Sequence, residues 1–507
     1  AVEFDVERSG RVPILIALSR RHYDAAIGSA WEIAAQSEKH FRQFLERTAA
    51  LEWPPFTEAW EWSKIAIERG WACNEGVGCG LVAGWAPSGA SQRPGFGWHF
   101  GGDTMMSVWA MLAYGDFEGA REALGFLLER QRADGRIMHE WTQSAALLDW
   151  NSYPYGFYHA DTTPLFLHTA HLYLRQTGDR TWLQENWTKL ERAWRYCLSI
   201  MDDDGLLSNA KGGAAAVETG ALSGKVARDV YLQGVWLAGL RGWEQMARWR
   251  GDASLAAEAG ARRRQALASV RRWFVPERGF FAFAELRDGS RYEANSAWQA
   301  MLVAEGDVEE GLSRRAAEAL ASPRLLTPWG ARLFATDSPF YNPVSYNDGS
   351  VWPFVTAQAL LAMFRHGQPA AAFAALDGLR QAVGLGGAGF LAEYFSGDRL
   401  ALGPRAVPHQ LFSSMALIHP VAAGLLGLEP DAMEGRLRIR PRLPCGAPPA
   451  RLGGYRVGTA RLDLEFRPGR PTRVDVQARQ GKVAVEVEPS DCFVSLPSRR
   501  LSPGMTP

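Results

Sequence analysis

Acidic residues in glycine- and aromatic-rich stretches at helix ends are the ones whose surroundings can reset their proton affinity; those on charged helix faces stay ordinary. Five carboxyls of this 507-residue chain meet that description: Asp103, Glu140, Asp161, Glu218 and Glu393. Two such groups facing each other across a bound molecule can divide acid–base work. One holds a proton and gives it to a leaving oxygen, while the other is ionised and activates water. At a separation of roughly 6.5–9.5 Å a water fits between them, and displacement at a glycosidic carbon inverts its configuration. Glu218 lies in AAAVETGALSGK, a low-charge, small-residue segment that would desolvate a carboxyl and raise its pKa, which suits a proton donor. Glu393 lies in GFLAEYFSGD, flanked by Gly389, Phe390, Tyr394, Phe395 and Gly397.

Around these carboxyls stand residues suited to sugar hydroxyls and ring faces. Most of the twenty tryptophans are core residues. Trp98, Trp141, Trp150, Trp329 and Trp352 sit in loops or at helix starts beside Gly, Pro, Asp or His, where a flat ring would stack on a pyranose. Asp103, His139 and Glu140 read as hydroxyl contacts. Asp161 opens the string DTTP, so a helix cap accounts for it as well as a cleft does. His409 and Gln410 open the helix HQLFSS and are expected to face the same cleft.

The elements that must position them are mainly α-helical. From residue 22 to 428 apolar residues recur at helical spacing in about a dozen segments, separated mostly by glycine turns. Consecutive helices with short links pack antiparallel, and twelve in two rings make an (α/α)6 barrel. TMMSVWAMLA (104–113), nearly all apolar, suits the inner ring; the amphipathic 116–131 suits the outer one. The first helix is expected to run through DAAIGSAWEIAAQSEKHFRQFLERTAALEW. From 429 to 507 the pattern switches to period two between Pro and Gly turns, predicting a small C-terminal β-sandwich. Residues 1–21 read as a strand remnant that pairs with that sheet or ends an upstream β domain.

Composition excludes several classes. Lys plus Arg and Asp plus Glu both number 55, so nothing draws the chain to nucleic acid or an anionic membrane. No apolar run reaches transmembrane length. The five cysteines are odd in number and scattered, which argues against a disulfide framework and a structural zinc site; a Cys73–Cys79 bridge carries little weight, and a cytoplasmic location is expected. Asp202-Asp203-Asp204 has no closing acidic residue at calcium-loop spacing, and GLGGAG (384–389) follows a helix instead of a strand. No metal and no cofactor is predicted.

Five strings, in order, are similar to those of glycogen-debranching, amylo-α-1,6-glucosidase-type glycoside hydrolases and their (α/α)6 relatives. They are Phe100-Gly101-Gly102-Asp103-Thr104, Asp134-Gly135-Arg136-Ile137-Met138-His139-Glu140, Asp161-Thr162-Thr163-Pro164-Leu165-Phe166, Tyr346-Asn347-Asp348-Gly349-Ser350-Val351-Trp352-Pro353, and the glycine-, glutamate- and phenylalanine-bearing stretch 389–397. The resemblance covers about 95–430 and the β region behind it. It implies an inverting hydrolase of α-glucosidic linkages, with Glu393 as base, Glu218 in the region of the acid, and Tyr346, Asn347 and Trp352 at the sugar. Gly102 stands where the family carries an Arg of the first sugar pocket, and the family's acid string is not reproduced around Glu218. A rhamnosidase- or mannosidase-like specificity on the same barrel is therefore the alternative. A terpene-cyclase-like enzyme would not call for these strings, and two carboxyls facing each other in one cleft would speak against a non-catalytic sugar-binding protein.

Overall fold

The computed structural model describes residues 24, 27–85, 96–497 and 500–506. The strand expected within 1–21 lies outside the described residues. Two compact units emerge, Ala1–Thr48 and Ala49–Pro507. The first contains helix α1 (Ala30–Arg47), which stops where the Thr48 hydroxyl donates back to the Phe44 carbonyl. The helix expected to run to Trp53 is therefore shorter. Ala50–Glu52 is instead a strand, paired antiparallel with Arg451–Gly453 in the second unit.

Among the described residues of the second unit, thirteen helices follow: α2 (Thr57–Glu68), α3 (Gly101–Tyr114), α4 (Phe117–Glu129), α5 (Thr162–Thr177), α6 (Arg180–Ser199), the single turn α7 (Asn209–Gly212), α8 (Val230–Arg250), α9 (Ala253–Arg271), α10 (Ala300–Glu305), α11 (Glu310–Leu320), α12 (Pro353–Arg365), α13 (Pro369–Gln381) and α14 (Leu411–Met415). Packing sorts them into two rings. Each of α3, α5, α8, α10, α12 and α14 touches the next, and α14 returns to α3, closing the inner ring. Against its outside lie α4, α6, α9, α11 and α13, each packed on the inner helix before it, and α2, which packs on α14 and α3. This is an (α/α)6 barrel.

The sequence dictates which helix goes where. Nearly every residue of α3 and α12 is buried, as an inner helix requires, because it is covered on all sides. The outer helices α4, α6 and α9 bury one stripe. Three inner-to-outer turns share one device. Gly115, Gly178 and Gly251 take the left-handed conformation that ends α3, α5 and α8. The aspartate that follows each (Asp116, Asp179, Asp252) caps the next helix by accepting from the amide of Gly119, Trp182 and Leu255.

The inner helices all run in one direction, so their N-termini gather at one end of the barrel. Asp103, Asp161, Asp229, Trp352 and Gln410 lie at those starts or immediately before them. The C-terminal region closes onto the opposite end. One sheet has the order 50–52, 450–457, 460–467, 473–480, and a second has the order 428–431, 436–439, 484–487, its last pair parallel. They are tied to the C-terminal ends of α3 and α5: the Arg456 guanidinium donates to the Gly115 carbonyl, and the Ala432 amide to that of Arg175.

Two disulfides correct the reading of the cysteines. Cys73 bonds Cys79 and Cys445 bonds Cys492, while Cys197 is free and buried. Cys73 and Cys79 are directly opposed across an antiparallel pair, and the Cys445 amide already bonds the residue after Cys492. Scattered spacing along the chain hid partners that strand pairing brings together.

Candidate active site

Where the inner-helix N-termini converge, a cavity opens whose wall includes all five singled-out carboxyls: Asp103, Glu140, Asp161, Glu218 and Glu393. His139, Tyr346, Asn347 and Trp352 line it as well. Among the described residues that wall contains no Lys or Arg; its basic side chains are His139 and His159.

Glu393 is almost fully buried, with 1% exposure. The Tyr346 hydroxyl donates to its Oε1 at 2.5 Å and the Val407 amide to its Oε2 at 3.1 Å, so the carboxyl plane is fixed. Burial raises its pKa to about 8; the two hydrogen bonds oppose that, and the neighbouring charges of Asp103 and Glu218 add to it. Asp103 stands in the first turn of α3, where the helix dipole favours a carboxylate. Burial still prevails and lifts its pKa to about 7, against the hydrogen bond that Gln410 Nε2 donates at 2.7 Å.

Glu218 belongs to the irregular segment after α7 and its side chain is 44% exposed. Its loop is held from two sides. Asn347 Oδ1 accepts from the Thr219 amide at 3.0 Å and from the Thr219 hydroxyl at 3.1 Å, and Asp348 Oδ1 accepts from the Ala221 amide. Asp229 caps α8 through the Leu232 amide and also accepts from the Ala216 amide and Asn209. The string YNDGSVWP therefore works as a jig. Tyr346 sets the Glu393 carboxyl, its neighbour Asn347 sets the Glu218 loop, and the Trp352 indole locks both by donating to the Tyr346 carbonyl.

His159 is the functional candidate that the sequence reading missed. Its Nδ1 lies 3.1 Å from Asp161 Oδ1, and its Nε2 lies 3.3 Å from Glu218 Oε1, an ion-pair distance without hydrogen-bond alignment. Burial alone would lower its pKa, but the hydrogen bond with Asp161 and the charges of Asp161 and Glu218 outweigh that and raise it to about 10. Asp161 thus serves the histidine: although it stands at the cap position of α5, its side chain makes no capping hydrogen bond. A signal existed, a histidine two residues before the aspartate of a helix start, but its meaning depends on Glu218, far along the chain.

The donor atoms of His139, His159 and Glu218 lie within 4.8 Å of one another, close enough to suggest a metal. The rings argue otherwise. The two imidazoles are stacked, with centroids 3.8 Å apart and planes 2° from parallel. A metal bonds in the imidazole plane at about 2.0–2.1 Å, and one ion cannot lie in two parallel planes. The set does not fit a metal.

Several expected sugar contacts lie elsewhere. Trp329 is fully buried and its indole donates to the Ser396 carbonyl, which makes it a core residue. His409 is buried outside the cavity, with Nε2 at the Ala66 carbonyl and its ring stacked on Phe390; its neighbour Gln410 faces the cavity instead. Trp98 and Trp141 are half-buried beside the cavity and do not form its wall, Trp98 packing edge-on against Trp150. Trp98 precedes, and Trp141 belongs to, the extended pair His99–Phe100 and Glu140–Trp141, which turns successive side chains to opposite faces.

The family model of the mannosylglycerate hydrolase MGH1-like glycoside hydrolase domain matches residues 214–402, a stretch that begins just before Glu218 and ends just after Glu393. No curated protein sequence matches the chain. Among solved structures it is similar to a sialidase (TM-score 0.67, 14% identity, covering 88% of this chain and 41% of that one). It is also similar to a GH78 family rhamnosidase of a Bacillus species (0.62, 15%, 89% and 44%) and to a GH63 mannosylglycerate hydrolase from Thermus thermophilus in complex with Tris and D-glycerate (0.53, 14%, 71% and 98%). The chain spans less than half the length of the sialidase and of the rhamnosidase. At these identities the likeness is one of fold.

Proposed function

We propose that this protein is an inverting glycoside hydrolase acting on neutral glycosides, with Glu218 as general acid and Glu393 as general base. The observation that carries the reading is one cavity whose two candidate carboxyls are set by adjacent residues, Tyr346 and Asn347. The match of a glycoside hydrolase family model over the stretch holding both carboxyls supports it. Glu393, buried and fixed, suits the group that orients a water against the retained sugar. Its raised pKa makes it a strong proton acceptor once ionised. Glu218, half-exposed, suits the side from which the leaving group departs.

For the sugar, we favour a mannoside or rhamnoside over an α-glucan. Gly102 lines the cavity with open space where a Cβ would stand, so the arginine of the debranching-type pocket has no counterpart at this position. The absence of Lys and Arg from the described wall speaks for a neutral leaving group, unlike the glycerate of the Thermus neighbour. Two disulfides favour an oxidising compartment over the cytoplasm. No helix among the described residues is long and apolar enough to cross a membrane.

Two observations favour a second reading with the roles exchanged: His159 stands beside Glu218, and burial favours a proton on Glu393. The experiment for the main reading is a panel of neutral α-mannosides, α-rhamnosides and α-glucosides, followed by proton NMR of the first-formed sugar. Inversion on a mannoside or rhamnoside is expected. Retention of configuration would refute the acid–base pair with water between.

A further inference from the structure

The connection between α4 and α5 folds its last part, 142–161, into three short 3-10 turns. Its aromatic rings form a continuous series. Trp150 stacks on Tyr153 at 4.2 Å between centroids, Tyr153 meets Tyr155 at 5.7 Å, Tyr155 meets Tyr158 at 5.5 Å, and Tyr158 meets His159 at 5.6 Å. The series ends beside Glu218, 3.3 Å from His159 Nε2.

Rings that serve only to hold a loop together bury themselves. Trp150, at the root, does so: it is 6% exposed and its indole donates to the Glu140 carbonyl at 2.8 Å. The three tyrosines do not, with exposures of 36% for Tyr153, 50% for Tyr155 and 40% for Tyr158. Tyr155 is also part of the cavity wall, so the exposed rings continue the cavity outward. Exposed aromatic surface that is continuous with a site is characteristic of ligand contact.

We propose that Tyr153, Tyr155 and Tyr158 form a platform for the leaving group, and that its occupant is a neutral saccharide of two or more units. The inference rests on the hydrolase reading above, which places the leaving group on the Glu218 side. Phenol faces match the C–H faces of pyranose rings, and their hydroxyl rims match sugar hydroxyls. The described cavity wall offers no Lys or Arg for an anion.

The test compares kcat/KM for glycosides that share one terminal sugar and differ in the leaving group: fluoride, nitrophenol, one sugar, and two or three sugars. Tyr153→Ala and Tyr158→Ala should each cost on the order of 3- to 10-fold on the longest leaving groups, from loss of stacking. The cost should shrink as the leaving group shortens and be smallest for fluoride. Tyr158→Phe, which keeps the ring and its packing, should keep most of the activity and the thermal unfolding of the wild type. Equal losses on fluoride and oligosaccharide would overturn the platform. Losses confined to the nitrophenyl glycoside would also overturn it, in favour of an aromatic aglycone site. A Glu393→Gln enzyme separates the two readings. If it hydrolyses normally, the hydrolase reading at this cavity fails. If it is inactive and calorimetry finds that it binds the released saccharide equally well with and without Tyr158→Ala, the platform alone fails.

Discussion

The two ends of the barrel treat a buried carboxyl in opposite ways. At the end where the inner helices finish, Glu305 meets Arg241 and, at 2.7 Å, Arg365; although burial alone would raise its pKa, these cations hold it well below the usual range. At the end where they begin, Glu393 is as deeply buried but, among the described residues, accepts from a tyrosine hydroxyl and a backbone amide instead of a cation, and its pKa rises to about 8. The same fold therefore contains a paired carboxylate that closes its base and an unpaired one that keeps high proton affinity at its mouth. Pairing marks the first as structural, and proton affinity without a cation in a cavity marks the second as chemical.

The sharpest way to break this comparison is to remove each charge in turn. Glu393→Gln should lower turnover by about 10²–10⁴-fold or more, with the fold retained. Glu305→Gln should do the reverse: activity per folded molecule should persist, while two partly buried arginines lose an ionic partner, Arg241 keeping Asp307, at a cost of about 1–3 kcal/mol of stability in denaturant titrations. If Glu305→Gln abolished turnover without lowering stability, the division between the two ends would be mistaken.

The roles within the mouth are decided by leaving group and pH. With Glu218 as acid, Glu218→Gln should nearly stop cleavage of a natural glycoside, yet retain a substantial fraction of the wild-type rate on a glycosyl fluoride, which leaves without a proton. With Glu393 as base, kcat/KM should rise with pH through a limb near 8, because the base must lose its proton, and Glu393→Gln should remove that limb. A limb near 8 that falls with pH, together with fluoride cleavage surviving in Glu393→Gln, would establish the exchanged roles.

How much of this could be read beforehand follows from the range of each interaction. Helices whose apolar period runs unbroken, such as α4 and α6, and carboxyls set in glycine-rich loops are local features, and the chain displays them directly. The strings around Tyr346 and Glu393 were legible as a site, but not as a jig, since Tyr346 and Asn347 act on loops far apart in sequence. Trp329 and His409 are misplaced because a position in a loop or at a helix start suggests exposure to the cleft, whereas their polar atoms find the Ser396 and Ala66 carbonyls through tertiary folding. His159 escaped notice for the same reason, and so did the Cys445–Cys492 pair.

The smallest predicted effect sharpens the comparison most finely, because it reads the cost of the mouth's chemistry as stability. Asp103 has its pKa raised from 3.8 to about 7 chiefly by burial, so the folded state binds its proton more tightly than the unfolded chain does. For a carboxyl shifted in that direction, folding is unpenalised below about pH 4, where both states are protonated. The penalty grows as pH rises towards 7 and is complete above it. Asp103 keeps some contact with solvent, so the full shift overstates the effect, and on the order of 2 kcal/mol is expected. Asn at this position mimics the protonated acid and can still accept from Gln410. Asp103→Asn should therefore unfold at the same temperature as the wild type near pH 4 and at a higher one near pH 8.5, while its catalytic rate falls. Calorimetric scans at the two pH values check this. Equal or lower stability of the variant at pH 8.5 would mean that Asp103 is a satisfied carboxylate like Glu305, and that the contrast between the two ends of the barrel rests on Glu393 alone.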